Sequence, residues 1–133
     1  EIDNWKIILS ANMLGDEVVP GSILNGLDLS GIDFSETRFT YDSPYSKPTS
    51  NDFAKKIAVQ ITDANLSNTN FKNKNLVYVN FTNSNLSGSD LSFTDLRSSN
   101  LEGANLEGAN LEGAKLEGAN LNCFNHDICT GNN

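Results

Sequence analysis

The sequence has 133 residues, enough for one domain with a modest core, and its formal net charge is −8. The negative charge argues against nucleic acid and anionic membrane surfaces as partners, and no apolar run approaches the roughly 18 residues that would predict membrane insertion. Hydrophobic residues make up 38% of the chain and aromatic residues 8%, which suits a narrow core of small and medium side chains. The chain begins at Glu1 rather than Met, which is compatible with removal of an export signal.

The first segment, residues 1–21, is predicted to form a short amphipathic helix that caps the rest of the chain. Asp3 is placed to cap the N-terminus of this helix, and Trp5, Ile8 and Leu9 follow at helical spacing.

Residues 22–39 carry a large apolar residue at every fifth position. These residues are Leu24, Leu29, Phe34 and Phe39. We interpret the segment as a first repeat coil, which Leu27 and Ile32 should widen or press against the N-terminal helix, since later units have smaller residues there. Residues 40–58 contain two prolines and several Ser, Thr and Asp residues. They predict an inserted loop that can close with a short helix.

The strongest pattern lies in residues 59–122, where a large apolar residue again returns every five positions. It is formed by Ile61, Leu66, Phe71, Leu76, Phe81, Leu86, Leu91, Leu96, Leu101, Leu106, Leu111, Leu116 and Leu121. A smaller residue stands two positions earlier in each unit, and Asn or Asp mostly stands directly before. A five-residue step turns about 500° on an α-helix and changes face on a flat strand, so neither gives a continuous apolar stripe. A chain that bends once per unit points every large residue at one axis, as in a solenoid.

Units such as A-N-L-E-G at residues 104–108 resemble the pentapeptide-repeat family, and the resemblance covers about residues 22–39 and 59–122. It implies an all-β solenoid, a right-handed four-sided parallel β-helix with one pentapeptide per side and four per coil. Twenty residues per coil would place residue n beneath residue n+20, at roughly the 4.8 Å spacing of paired strands.

The twenty-residue offset predicts contacts between coils. Asn side chains should stack and hydrogen-bond along the axis. One such column contains Asn65, Asn85 and Asn105. Arg97 should pair with Glu117 and Asp95 with Lys115, as opposite charges on successive coils. Lys74 occupies a small inward position, so we expect a distorted coil or an outward side chain, because an unpaired Lys is not buried.

The C-terminal segment, residues 123–133, is predicted to cap the open end of the solenoid, with Phe124 as a plug. Cys123 and Cys129 can form a disulfide, remain as thiols, or bind zinc together with His126. The disulfide is favoured because one short tail would have to supply every zinc ligand. It would indicate an oxidising compartment such as the periplasm or thylakoid lumen, and free thiols would indicate the cytoplasm.

A catalytic role is not indicated. The carboxylates of Glu102, Glu107, Glu112 and Glu117 would lie on four different sides, too far apart to act as an acid–base pair. The family resemblance implies a non-enzymatic scaffold or protein-interaction module without cofactor, of a kind abundant in cyanobacteria and plastid lumens. The partner would be an unknown protein, and the chain a monomer or a weak end-to-end dimer. The alternative is a DNA mimic that binds DNA gyrase or topoisomerase, but the densest acidic cluster rings one coil instead of following the axis.

Overall fold

The computed structural model of the protein describes residues 25–34 and 59–130 in full and three short strands by their backbone. The strands are β1 (Met13–Leu14), β2 (Glu17–Val18) and β3 (Arg38–Phe39). β2 pairs antiparallel with β1 and parallel with β3. Within residues 1–21, which were predicted to be helical, the structure describes only β1 and β2. Both are extended strands, so the helix prediction is wrong at these four residues. The rest of that helix, the loop at 40–58 and the last three residues lie outside the described residues.

A ladder of single parallel β-bridges organises residues 59–122. The residue before each large apolar residue pairs with its counterpart twenty positions later, as in Asn65 with Asn85 and Asn85 with Asn105. One bridge every five residues and a register of twenty residues divide each coil into four sides. Backbone hydrogen bonds follow the same register: the N–H of Leu86 donates to the carbonyl of Asn105 at 2.8 Å.

The first coil joins the same stack through a longer connection. Asp28 pairs with Asn65 and Asp33 with Asn70, an offset of thirty-seven residues instead of twenty. Phe34 is buried, and its ring stacks on that of Phe71 with centroids 4.7 Å apart. Apolar contact therefore continues along the axis across the insertion.

The large residues of the repeat form the axial core. Ten of them, from Ile61 to Leu106, are fully buried with 0% of their surface exposed. Leu111, Leu116 and Leu121 are only partly buried. These three belong to the last coil, where no further coil covers their upper side among the described residues.

Lys74 interrupts the inward small positions without breaking the coil. Its N–H donates to the carbonyl of Phe71 at 3.0 Å, and its own carbonyl accepts from the N–H of Asp95 at 3.0 Å, as in regular units. Its side chain is half-buried, whereas Thr69 and Val79 on either side are buried. Of the two alternatives expected at Lys74, a distorted coil and a side chain turned outward, the regular backbone hydrogen bonds contradict the first. In the first coil, Ile32 is buried and Leu27 half-buried.

Each coil turns its four corners with a left-handed residue. From Ile61 to Leu116, the residue two positions after each large apolar residue has a positive φ, for example Asn83 (61°) and Gly103 (71°). A Cβ on Gly103 would lie 2.0 Å from Oδ1 of Asn83 in the coil below. Glycine suits this corner because it adopts the positive φ without strain, and any larger residue at Gly103 would have to displace the side-chain amide of Asn83.

Candidate interaction surface

Four flat faces, named A to D in chain order, present the outward side chains of the repeat. Face A stacks residues 59–62, 79–82, 99–102 and 119–122. Face B stacks residues 64–67, 84–87 and 104–107, face C residues 69–72, 89–92 and 109–112, and face D residues 74–77, 94–97 and 114–117. Faces B and D lie on opposite sides of the axis because the faces follow one another around four corners.

The Asn and Asp residues before each large residue close a local turn. Oδ1 of Asn85 accepts the N–H of Ser87 at 3.0 Å, and the same bond recurs in most units. The predicted stacking of Asn65, Asn85 and Asn105 is present, and Oδ1 of each accepts an N–H within its own turn. Axial hydrogen bonds occur as well: Nδ2 of Asn80 donates to Oε1 of Gln60 at 2.8 Å, and Nδ2 of Asn125 donates to Oδ1 of Asn105 at 3.0 Å.

Face A contains an open polar groove of about 380 Å³. Its lining includes the stacked carboxamides of Gln60, Asn80, Asn100 and Asn120 and the corner residue Tyr78. The groove has no carboxylate, ammonium or imidazole group in its lining, so the described residues give it no group for acid–base chemistry at neutral pH.

Four exposed carboxylates encircle the last full coil. They belong to Glu102, Glu107, Glu112 and Glu117. Each follows the large residue of its own side, so the four side chains leave four different faces. This arrangement gives the coil a ring of negative charge and does not bring two carboxylates to one site.

Face D contains a bidentate ion pair. Nε and Nη2 of Arg97 donate to Oδ1 and Oδ2 of Asp95 at 2.8 and 2.6 Å. These hydrogen bonds lower the pKa of Asp95 and raise that of Arg97. The predicted opposite-charge neighbours across coils are confirmed, since Asp95 pairs with Lys115 in the ladder, but the direct ion pair joins Arg97 to the carboxylate two positions earlier on its own face. Lys115 and Glu117 lie near enough to add to the two shifts through their charges.

Asp90 on face C is held by a serine. Its Oδ1 accepts hydrogen bonds from the hydroxyl of Ser92 and, at 3.0 Å, from the Ser92 N–H. The hydroxyl bond is the main cause that lowers the pKa of Asp90, and the charge of Lys72 contributes.

The two cysteines of the C-terminal segment lie together. Sγ of Cys123 and Sγ of Cys129 are 2.07 Å apart, and their Cα atoms are separated by 5.1 Å. Cys123 is fully buried and Cys129 nearly so. Both sulfurs are used in this bond, so the alternative zinc site lacks its thiolates. No cluster of metal-ligating side chains occurs in the described part of the chain.

Phe124 does not plug the axis, and that prediction is wrong. It pairs with Asn105 at the outward position of the ladder, and 41% of its surface is exposed. Cys123, one residue earlier, takes the buried position instead. The register of the last strand therefore places sulfur rather than an aromatic ring against the core.

His126 holds the cap on face C. Its Nδ1 accepts the N–H of Ile128 at 3.2 Å, which leaves the ring proton on Nε2. Nε2 then donates to the carbonyl of Ala109 at 3.2 Å. The imidazole thus takes a capping role, as an axial partner for a backbone group of the last coil.

Comparison with known proteins places these features in a class. The sequence model for pentapeptide repeats matches residues 64–103 and 84–122, with eight copies. The structure of Rfr23, a pentapeptide repeat protein from the cyanobacterium Cyanothece, is 38% identical and superposes with a TM-score of 0.58. The match covers 90% of this chain and 80% of Rfr23. The class is the four-sided β-helix built from five-residue units, which is right-handed in these relatives. The chain belongs to the pentapeptide-repeat family.

Two other solved structures are similar to this chain. HetL from the cyanobacterium Nostoc, described as involved in regulating heterocyst differentiation, is 24% identical with a TM-score of 0.61. The match covers 79% of this chain but only 41% of HetL. A pentapeptide repeat protein of the Arabidopsis thaliana thylakoid lumen is 27% identical over 75% of this chain and 66% of its own, with a TM-score of 0.43. No curated protein matches the sequence.

Proteins of this family are generally non-enzymatic structural or interaction proteins. Among the described residues, no helix has the length and apolar character needed to cross a membrane.

Proposed function

We propose that the protein is a non-enzymatic scaffold that binds another protein through the outward residues of its β-helix. The observation that supports this proposal is that the inward and outward positions of the units differ in how much their residues vary. The large inward position is always Leu, Ile or Phe, whereas the outward position that follows it ranges along the stack over Ser, Thr, Val, Lys, Arg and Glu. A continuous ladder of backbone hydrogen bonds fixes these outward side chains in columns, which makes a preorganised binding surface.

The surface is better suited to a macromolecule than to a small substrate. Its faces are flat, and the face A groove is open and lined by neutral amides. Catalytic sites combine concave shape with convergent titratable groups, and the described faces lack that combination. Solenoid proteins bind partners through extended surfaces that their stacked repeats form together.

Affinity capture with quantitative mass spectrometry tests the proposal. The full chain is immobilised and exposed to extract of its source cells. The matched control keeps all inward residues but replaces exposed outward residues on all four faces by Asn or Ser, the residues most common there. We expect one or a few proteins to be enriched by the native chain and lost with the control. Equal capture by both proteins would contradict an outward binding surface.

A further inference from the structure

We propose that face D, with its two flanking corners, is the docking surface for an acidic protein partner, and that Phe93 is its anchor. This inference rests on the proposed interaction function and adds the face and the chemistry of the partner. The flanking corners are the column Asn73–Phe93–Gly113 between faces C and D and the column Tyr78–Ser98–Gly118 between faces D and A.

Positive charge is confined to this side of the described β-helix. Residues 25–34 and 59–130 contain four Lys and Arg residues, and all of them lie on face D or beside its first corner. They are Lys72, Lys74, Arg97 and Lys115. The Asp and Glu residues of the same segments occur on all four faces, and face D carries Asp95 and Glu117 beside Lys74, Arg97 and Lys115, so its three cations and two carboxylates give it a formal charge of +1. In a chain of net charge −8, a side that gathers every described cation differs electrostatically from the other three.

The corners of face D also contain the residues that least favour a positive φ. Corners between faces A and B and between B and C are turned only by Asn, Asp or Gly, which tolerate positive φ. Phe93 (φ 58°) and Tyr78 (φ 65°) adopt the same conformation at the face D corners. A bulky residue there is strained, and such strain tends to occur where the side chain has a function.

Two further departures from the repeat occur on the same face. Lys115 stands directly before Leu116, where most units have Asn or Asp. The Asn or Asp side chain accepts a hydrogen bond from the N–H two residues later, and the ammonium group of Lys115 cannot accept one. Lys74 replaces the small inward residue. Positions 74, 93 and 115 are far apart in sequence and belong to three unit positions, yet the coil brings them to one side. Local rules broken repeatedly at one place indicate a binding surface rather than an accident of folding.

Phe93 has the geometry of an anchor. Half of its surface (51%) is exposed, yet the ring is held from two sides. A Cβ added to Gly113 would lie 2.5 Å from Cδ1 of Phe93, so the ring rests on the space that glycine leaves. Nζ of Lys72 lies 5.9 Å from the ring centroid on a neighbouring coil. Exposed aromatic rings that are held in position are typical of residues that dominate interface affinity.

The partner follows from these groups. Phe93 requires an apolar pocket, and the ammonium groups of Lys72 beside the ring and of Lys115 on the same side favour carboxylates at the pocket rim. Face D is three coils tall, about 14 Å at the spacing of paired strands, so the contact is small. Small interfaces give transient complexes, so we expect a dissociation constant of roughly micromolar size that rises with salt.

A library of random twelve-residue peptides displayed on phage and selected on the full chain tests this assignment. Selected peptides are synthesised and titrated by fluorescence anisotropy against the native protein, Phe93→Asn and Lys115→Asn. Both substitutions restore residues that the repeat uses elsewhere, so the fold is retained. Glu107→Gln on the opposite face B is the control.

We expect peptides with at least two Asp or Glu residues beside an aromatic or aliphatic residue. Their dissociation constants should rise about tenfold or more with Phe93→Asn, several-fold with Lys115→Asn, and remain unchanged with Glu107→Gln. Peptides bound equally by native protein and Phe93→Asn would overturn the assignment to face D, while capture of a partner in the preceding experiment would still stand. Failure to select any acidic peptide, or face D-dependent binding of a single-stranded DNA oligonucleotide instead, would overturn the acidic protein partner.

Discussion

At the scale of single residues, the corner positions determine how much backbone strain the β-helix contains. Every corner needs a positive φ, which Gly adopts without strain, Asn and Asp with little, and an aromatic residue only with difficulty. Asn73 and Phe93 occupy the same corner column with φ 64° and 58°, so the chain itself provides the comparison. Phe93 gains some contact with Gly113 and Lys72, but half of its ring remains in water.

Phe93→Asn should therefore stabilise the protein. We expect the free energy of unfolding to rise by about 0.5–1 kcal/mol, because relief of left-handed strain exceeds the loss of a half-exposed ring. Urea unfolding at pH 7 measures it, with Asn73→Phe in the same column as the reverse change, expected to destabilise. A decrease in stability for Phe93→Asn would show that ring packing outweighs the strain.

Hydrogen-bonded carboxylates predict loss of stability in acid. The folded-state pKa of Asp95 is lowered below its ordinary value of 3.8 by Arg97, so its contribution is present above that value and is lost as pH falls through the folded pKa. Asp95→Asn should flatten the decline of unfolding free energy below about pH 4, with Glu107→Gln as the exposed-carboxylate control. If the free energy of unfolding of Asp95→Asn falls below pH 4 as steeply as that of the native protein, other groups cause the loss of stability.

At the scale of one coil, burial depends on the coils above and below it. Leu96 is enclosed by the coils above and below it, whereas Leu116 belongs to the last coil and is only partly buried. Identical residues in identical units should therefore differ in their contribution to stability.

Leu96→Ala should lower the free energy of unfolding by about 2–5 kcal/mol because it leaves an axial cavity. Leu116→Ala should lower it by about 1–2 kcal/mol, since solvent already reaches the side chain. Exposed Glu107→Ala should change it by no more than about 0.5 kcal/mol. Denaturant unfolding of the three variants tests this order, and equal losses for the two leucines would contradict an open last coil.

The C-terminal cap gives a second prediction at the scale of the element. Alkylation of the unfolded, non-reduced protein should find no free thiol on Cys123 or Cys129, and intact mass should rise by two labels only after reduction. The Cys123→Ser/Cys129→Ser variant should lose about 2 kcal/mol, because the bond closes a short loop. Two reactive thiols before reduction would remove the disulfide and its indication of an oxidising compartment.

Over the whole molecule, the distribution of charge argues against DNA mimicry. A mimic needs negative charge that follows the axis, whereas Glu102, Glu107, Glu112 and Glu117 ring one coil and face D carries cations. Purified protein at micromolar concentration should therefore leave the supercoiling activity of DNA gyrase unchanged. Inhibition that disappears when the four glutamates become glutamine would establish the alternative.

The period of five made the solenoid predictable, because the position of each large residue fixes both its side and its neighbours twenty residues away. Which of several nearby hydrogen-bond partners a side chain would choose was not predictable. The Asn oxygens bond within their turns because the N–H two residues on is already in place, and Arg97 reaches Asp95 on its own face before Glu117. Phe124 faces outward because the last bridge joins Asn105 to Phe124, nineteen residues on instead of twenty, so Cys123 takes the inward position that the five-residue register would have given to Phe124. The gathering of Lys74, Phe93 and Lys115 was present in the sequence and becomes visible when it is written in rows of twenty.

The thirty-seven-residue offset between the first and second coils has a consequence for engineering. Asp28 and Asn65 keep their bridge although seventeen additional residues lie between them, so the stack does not depend on the length of the connection there. A foreign peptide or small domain grafted within residues 40–58 should therefore be tolerated. The deletion of one residue within 64–122 would instead turn every later leucine away from the axis. The chain should thus tolerate insertions between its first two coils but no change of length within the later repeats.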